Sequence, residues 1–269
     1  MSTDRTRDWR EVADRVFQRR YDPWDVTVVA VVGADGLAVV DTRCSPAEAR
    51  ELREHLRQLS PAPVRWVVNT HAHFDHVGGN TEFLPPRQVP GAELWGHRAA
   101  AAEMTGMTET GELTGTAVPD RLVDRAHTLD LGDRAVQLRY LGRGHTGGDL
   151  VLHLPDADAL LAGDLVEQSG PPAYGSDSYP LDWSPTLDAL LALTGPGTVV
   201  VPGHGTPVDP GFVRAQRDTV AAVAARLTEL HASGVPAASA PAAGQWPYPA
   251  EGLRDAALRA YAQLDGTLR

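Results

Sequence analysis

The chain has 269 residues, 42% apolar and 22% charged, which excludes wholesale disorder and suffices for one compact body to bury a core without disulfides. All 24 basic residues are arginine, which excludes a Schiff-base or phosphate-loop lysine, and a formal net charge of −11 leaves no global field to attract a phosphate backbone. The single cysteine, Cys44, excludes an internal disulfide and an all-cysteine metal cluster, and it reads as a small buried residue beside a strand end.

The N-terminal stretch stays charged through Arg20 with no apolar segment after it, and no run of about 18 apolar residues occurs, so neither a secretory signal nor a spanning helix is expected and the protein reads as cytoplasmic. Val26 to Val32 is a β-branched run, Gly33-Ala34-Asp35-Gly36 a turn signal and Leu37 to Val40 a returning strand, closed by Asp41 and Thr42. Ser45-Pro46-Ala47-Glu48 is a capping box with proline at the first helical position, and Leu52, Leu56 and Leu59 continue at helical spacing. On that helix His55, among Arg53, Glu54 and Arg57, reads as a solvated surface histidine. Trp66 to Val68 is a short buried strand that runs into Asn69–Asn80.

Leu94-Trp95 predicts another strand, with a helix from His97 through Glu103. Thr105 to Pro119, rich in Gly and Thr and without periodicity, reads as a long mobile loop. Leu129 to Asp133 followed by Ala135 to Leu141 predicts strand, turn, strand, and Leu150 to Leu154 and Ala159 to Ala162 flank a turn at Pro155-Asp156-Ala157-Asp158. Ser184-Pro185 predicts a capped helix through Leu193, and Thr198 to Val201 a strand. Asp209-Pro210 opens a long helix with Val213, Val220, Val223, Leu227 and Leu230 on one face. Ala232 to Pro249 is low-complexity and reads as loop, and a last helix spans about Glu251 to Leu264. Trp95 and Trp183 are assigned to the core. The interleaving of strands and helices, with several hairpins, predicts an α/β (α+β) fold of layered sheets with helices outside, and periodicity leaves the topology open.

The chemistry concentrates in Thr70-His71-Ala72-His73-Phe74-Asp75-His76-Val77-Gly78-Gly79-Asn80, where four potential metal ligands occupy six positions directly after a strand. His71 and His73 are alternate residues, so an extended backbone points both imidazoles one way, toward one divalent ion. Asp75 and His76 follow a bend and can reach a second ion. Imidazole and carboxylate without thiolate suit zinc, iron or manganese and disfavour a structural zinc site. Three further ligand-type residues fall beside glycine at strand ends: His145 in Gly144-His145-Thr146-Gly147, Asp164 in Gly163-Asp164-Leu165 and His204 in Gly203-His204-Gly205. Singly each is an ordinary turn residue; together with the first segment they make seven ligands, the number that two adjacent ions need.

In motif order, from about Val26 to Val208, this pattern resembles the metallo-β-lactamase-fold hydrolase superfamily. The resemblance implies a four-layer αβ/βα sandwich, two mixed sheets with helices outside, formed as one domain over 1–269 with a C-terminal helical region from about 209 to 269. It implies two divalent metal ions, zinc first with iron or manganese also suited. His71, His73 and His145 would hold one ion, Asp75, His76 and His204 the other, and Asp164 both. Asp75 would also be the catalytic residue that orients the nucleophile. Asp41 reads equally as a partner of a ligand histidine or as a strand-ending turn residue, and Thr146 and Asp149 as weaker candidates for such a supporting role.

An aspartate at position 164 resembles the glyoxalase-II-like branch more than the antibiotic-degrading branches, and the absence of lysine points the same way. The implied activity is hydrolysis of an ester, thioester, lactone or amide in a small molecule, with neither nucleic acid nor membrane as partner. An iron-dependent redox enzyme such as a sulfur dioxygenase, a phosphodiesterase or nuclease, and a scaffold that has lost catalysis are the competing classes. Candidate substrate walls are Val166 to Pro180 with Tyr174 and Tyr179, the Thr105–Pro119 segment and Trp246-Pro247-Tyr248, each of which also reads as satellite core. Arg214, Arg217, Arg226, Arg254, Arg259 and Arg269 read either as a binding surface for a thiol-carrier substrate or as a solvated helix face.

Overall fold

A computed structural model describes residues 8–268; the first seven residues of the charged N-terminal stretch and Arg269 lie outside the described residues. The elements in chain order are β1 (Arg10–Ala13), β2 (Val16–Tyr21), β3 (Val26–Gly33), β4 (Gly36–Val40), α1 (Pro46–Leu59), β5 (Val64–Val68), α2 (Phe74–Val77), β6 (Glu93–His97), α3 (Arg98–Thr110), β7 (Arg121–Val123), β8 (Ala126–Asp130), β9 (Ala135–Tyr140), β10 (Leu150–Leu154), β11 (Ala159–Glu167), α4 (Pro180–Leu191), β12 (Val199–His204), α5 (Pro210–Ala232), α6 (Ala240–Ala243) and α7 (Arg254–Leu264).

Hydrogen-bonded strands run in the order β7-β6-β5-β4-β3-β12-β11-β10-β9-β8, with β2 on β3 and β1 on β2. At the centre β12 meets β3 through a single register pair, His204 with Val26, so the path divides there into two half-sheets. Alternation along the strands assigns the faces. Val29 and Val31 of β3 pack with Leu138, Leu152 and Leu161 of the other half, forming the core between the sheets. Val28 and Ala30 face Leu52 and Leu56 of α1 on one outer side. Leu160 and Ala162 face Trp183, Leu187, Val220 and Leu227 of α4 and α5 on the other. The result is helix, sheet, sheet, helix: the expected four layers in a mixed α/β chain.

Trp183 is fully buried, and its indole N–H donates to the Leu165 carbonyl at 3.1 Å. Burying an indole is worth roughly 4–6 kcal/mol as an upper estimate by area, which anchors the β11 segment that carries Asp164.

Several expectations need correction. The charged N-terminal stretch contains the hairpin β1–β2, whose Val16, Gln18 and Tyr21 are buried; Gln18 and the two arginines break the apolar alternation that would have marked a strand. The first part of the expected Thr105–Pro119 loop is helix, since α3 runs to Thr110 and stops at Gly111, φ 80°. The rest is tied down: the Ala117 carbonyl accepts from Asn80, and the Thr116 hydroxyl donates to the Val77 carbonyl. Helix α4 begins at Pro180 rather than at Ser184 and passes through Pro185, because the Trp183 N–H already bonds the Tyr179 carbonyl. β11 extends to Glu167, so Asp164 lies within a strand. His55 is not solvated: its ring accepts or donates to Tyr21 Oη at 3.0 Å, and its carbonyl accepts from Trp9. Trp95 and Cys44 are half-buried rather than buried, with Trp95 stacked on His127. No helix among the described residues is long and apolar enough to cross a membrane.

Candidate metal centre

The seven predicted ligands meet at the seam between the half-sheets. His71, His73, Asp75 and His76 follow β5, His145 lies between β9 and β10, Asp164 is in β11 and His204 ends β12. The backbone bends at His71 and Ala72 instead of continuing as strand, yet the His71 and His73 rings stay 4.7 Å apart, as alternate residues can. His73 then caps the single turn of α2, which swings Asp75 and His76 to the other side. Asp164 is aimed inward by an irregularity: Gly163 adopts φ +52° and the β11–β12 register slips on both sides of it.

Donor atoms of His71, His73, His145 and Asp164 form one group, and those of Asp75, His76 and His204 a second, each with all members within 4.8 Å of one another. Asp164 is shared. Its Oδ1 is 3.3 Å from His76 Nε2, and its Oδ2 is 3.3 Å from His204 Nε2, 3.5 Å from His145 Nε2 and 3.8 Å from His71 Nε2. Asp75 Oδ2 lies 3.4 Å from His204 Nε2 and 3.5 Å from His76 Nε2.

Each imidazole is anchored by the nitrogen that faces away from the cluster. His73 Nε2 donates to Asp177 at 2.9 Å, His76 Nδ1 to Asp41 at 2.8 Å, His145 Nδ1 to the Ala173 carbonyl at 3.0 Å and His204 Nδ1 to the Trp24 carbonyl at 2.8 Å. The Thr70 hydroxyl donates to Asp41, so it accepts from His71 Nδ1 at 3.0 Å. With the outer nitrogens donating, the inner ones are left as donors to a cation. They crowd: His145 Nε2 is 2.9 Å from His73 Nδ1, and His76 Nε2 is 3.4 Å from His204 Nε2. His71 Nε2 and Asp164 Oδ1 are buried with no hydrogen-bond partner. Orphaned buried polar atoms cost about 1–3 kcal/mol each, and a divalent cation between these groups would satisfy both. The donor set therefore fits metal.

Electrostatics divide the histidines. Burial pushes His71 well below the ordinary imidazole range and His145 down to about 4, so both stay neutral. Burial also opposes charge on His76, but Asp164, Asp75 and Asp41 outweigh it and raise the ring to about 9. His204 is likewise opposed by burial and raised to about 12 by its hydrogen bonds to Asp164 and Asp75. Burial works against the Asp164 charge, yet His76 and the hydrogen bond with His204 hold its carboxyl well below the usual range. A metal ion competes with these protons for the same lone pairs.

Asp41 takes the supporting place rather than the turn-residue one. It is 2% exposed at φ 64°, and its carboxylate accepts from Thr70 N, Thr70 Oγ1 and His76 Nδ1, each at 2.8 Å. Asp149 is buried and accepts from the Thr146 N–H and hydroxyl, closing the turn that carries His145. Asp177 was not singled out in the sequence, because Gly175-Ser176-Asp177-Ser178 is an ordinary polar loop. Burial opposes its charge, but the His73 hydrogen bond holds it at about 2. Arg259 of α7 fixes this loop by donating to the Ser178 and Asp177 carbonyls at 2.7 and 3.2 Å. Asp177→Ala is expected to weaken metal binding about 10–100-fold, read by competition with a chromophoric chelator, and unchanged affinity would refute this orienting role.

A cavity of about 400 Å³ opens above the donors, walled by Trp24, Glu167, Pro171 and Tyr174. Tyr174 is 8% exposed, packs edge-on to Trp183 and accepts from Tyr248 Oη, so it is both wall and satellite core. Tyr179 lies between the Arg143 and Arg259 guanidinium groups, 4.4 and 4.8 Å from its ring centre, and does not line the cavity. Neither the 105–119 segment nor Arg214, Arg217, Arg226, Arg254 or Arg259 lines it. A separate hollow of about 310 Å³ beside the end of α1 contains none of the ligand residues.

Residues 21–204 match the Metallo-beta-lactamase superfamily. The chain is 29% identical over 181 residues to the Metallo-beta-lactamase type 2 of Bacillus cereus, covering 66% of each protein. It is 30% identical over 116 residues to a Hydroxyacylglutathione hydrolase of Erythrobacter litoralis (strain HTCC2594), covering 42% of this chain and 39% of that one. A solved Metallo-beta-lactamase from Pontibacter korlensis superposes with a TM-score of 0.67 at 21% identity, over 79% of this chain and 98% of that chain. The chain thus spans just under two thirds of the length of the first relative and well under half of the second. The chain belongs to the metallo-beta-lactamase superfamily, whose members are generally metallohydrolases. It carries a His/Asp cluster of metal-binding type where the two half-sheets meet.

Proposed function

We propose that this protein is a dinuclear metal-dependent hydrolase that cleaves an ester, thioester, lactone or amide bond of a small molecule. The observation that carries the reading is the pair of largely buried donor groups sharing Asp164, with His71 Nε2 and Asp164 Oδ1 left without hydrogen-bond partners. His71, His73 and His145 would hold one ion, Asp75, His76 and His204 the other, and Asp164 would serve both. Two divalent ions, zinc first and iron or manganese by the same donor chemistry, would supply Lewis acidity there and activate water.

The remaining work falls to the chain. Burial opposes charge on the Asp75 carboxyl, but His76 and His204 hold it below its ordinary range, so it is ionised at neutral pH. There it orients the attacking water and takes up its proton. Asp41, Asp177 and the Trp24 and Ala173 carbonyls fix the tautomers of the ligand histidines. The all-nitrogen-and-oxygen donor set with Asp164 in the shared place supports a glyoxalase-II-like site within the family. The names of the relatives span a β-lactamase and a hydroxyacylglutathione hydrolase, so likeness alone leaves the bond open.

Elemental analysis of the purified protein should give close to two metal equivalents. Hydrolysis of a thioester, lactone or related carbonyl substrate should disappear on chelation and return with zinc. Undiminished carbonyl hydrolysis by metal-free protein would sink the reading. Cleavage of phosphodiesters alone, or an iron-loaded coloured protein that consumes oxygen, would replace it by one of the competing classes.

A further inference from the structure

Beyond the seven metal-type donors, the described wall of the cavity carries one carboxyl side chain, Glu167. Glu167, the last residue of β11, places a carboxylate oxygen within 4.8 Å of the donor atoms of both Asp164 and His204. That carboxylate is held in place: its Oε1 accepts from the Ser169 N–H and the Ser169 hydroxyl, both at 2.9 Å. The backbone beneath it is fixed as well, since Glu167 N–H donates to Gln216 Oε1 at 3.0 Å while Gln216 Nε2 donates to the Leu165 carbonyl at 2.8 Å. Trp24, 56% exposed, lines the same cavity, and its ring makes an edge-on contact with Phe74 at 5.9 Å between centres. No arginine lines the cavity among the described residues, and the sequence contains no lysine.

A fixed carboxylate in a cavity that also holds an aromatic residue favours an ammonium or guanidinium group over a carboxylate. Burial and Asp164 raise the Glu167 carboxyl to about 7, so it is ionised above neutral pH. Asp75 and Asp164 neutralise only part of the charge of two divalent ions, so the centre alone would draw anions. Glu167 offsets that pull within the cavity. We infer that Glu167, with Trp24, is a specificity-determining residue that selects substrates bearing a cationic group near the scissile carbonyl and turns away carboxylate-bearing ones. This inference rests on the hydrolase reading above and adds its substrate class.

The test uses the metal-loaded protein above neutral pH, where Glu167 is ionised, with three esters of one acid and matched size: a choline ester, its uncharged 3,3-dimethylbutyl isostere and a carboxylate-bearing analogue. The expected order of kcat/KM is choline, neutral, carboxylate. In Glu167→Gln the choline-to-neutral ratio should fall about tenfold, chiefly through KM, and Glu167→Arg should turn the preference toward the carboxylate ester. Calorimetric titration with choline, 3,3-dimethylbutanol and butyrate reads the same selectivity without turnover. Equal or tighter binding of the neutral or carboxylate probe by wild type overturns the inference. So does loss of metal in Glu167→Gln by elemental analysis, which would make Glu167 a ligand. If choline is bound selectively while no ester is cleaved, the charge selection stands and the ester form of the hydrolase reading fails.

Discussion

Asp164→Ala is expected to empty both metal positions and lower kcat/KM by at least about 10³-fold while the chain stays folded. The Asp164 side chain is the one that approaches both donor groups, within 3.8 Å of His71, His76, His145 and His204. Removing it also removes the anion that helps to hold protons on His76 and His204. Both rings then fall toward their ordinary range, so the variant buries fewer charges rather than more. That is why the fold should tolerate the change. Metal content per chain, far-UV circular dichroism and turnover of a carbonyl substrate provide the check. Wild-type metal stoichiometry with undiminished turnover would show that Asp164 does not bridge the groups. Unfolding would shift the question to His71→Ala, which should also lose metal and activity but removes no carboxylate.

Gly203→Ala should come next in effect, although Gly203 ligates nothing. The β12 backbone passes so close to Asp164 that a Cβ on Gly203 would lie 1.8 Å from Asp164 Oδ1 and 2.9 Å from its Cγ. The same oxygen is 3.3 Å from His76 Nε2. One methyl group must therefore drive the carboxylate out of its place between the donor groups. A displacement of about 1 Å is enough to cost about 10²-fold in rate, and the crowding itself should destabilise the fold by about 1–3 kcal/mol. Chemical denaturation and metal titration separate the two effects. Gly252→Ala, where a Cβ meets nothing within 4 Å, is the control for glycine replacement as such. A Gly203→Ala protein with wild-type metal affinity would show that Asp164 can move without cost.

Much of this architecture was open to reading because its causes are local. The β-branched run Val26–Val32, the proline-led caps at Pro46 and Pro210 and the buried stripe of α5 act through neighbours a few residues away, and the structure follows them. The His71–His76 spacing is local too, since alternation and one helical turn suffice to divide its donors between two groups. Reading failed where neighbours pulled against packing. The arginines of Val16–Tyr21 hid a strand whose Val16, Gln18 and Tyr21 are buried, and Pro185 suggested a helix start although Trp183 had already drawn the first turn inward.

The supporting contacts had no local signature. Asp177 reaches His73 across 104 residues, and the Trp24 carbonyl holds His204 across 180. Neither residue differs in its own neighbourhood from a common loop aspartate or a turn tryptophan. Residue types and short spacings thus named the metal-type donors and the elements that carry them, because propensity and side-chain period act over a handful of bonds. Which nitrogen of each histidine faces inward, and which charge stands in the cavity wall, waited on the packing of distant segments, because burial and hydrogen-bond partners belong to the assembled layers and not to any stretch of chain.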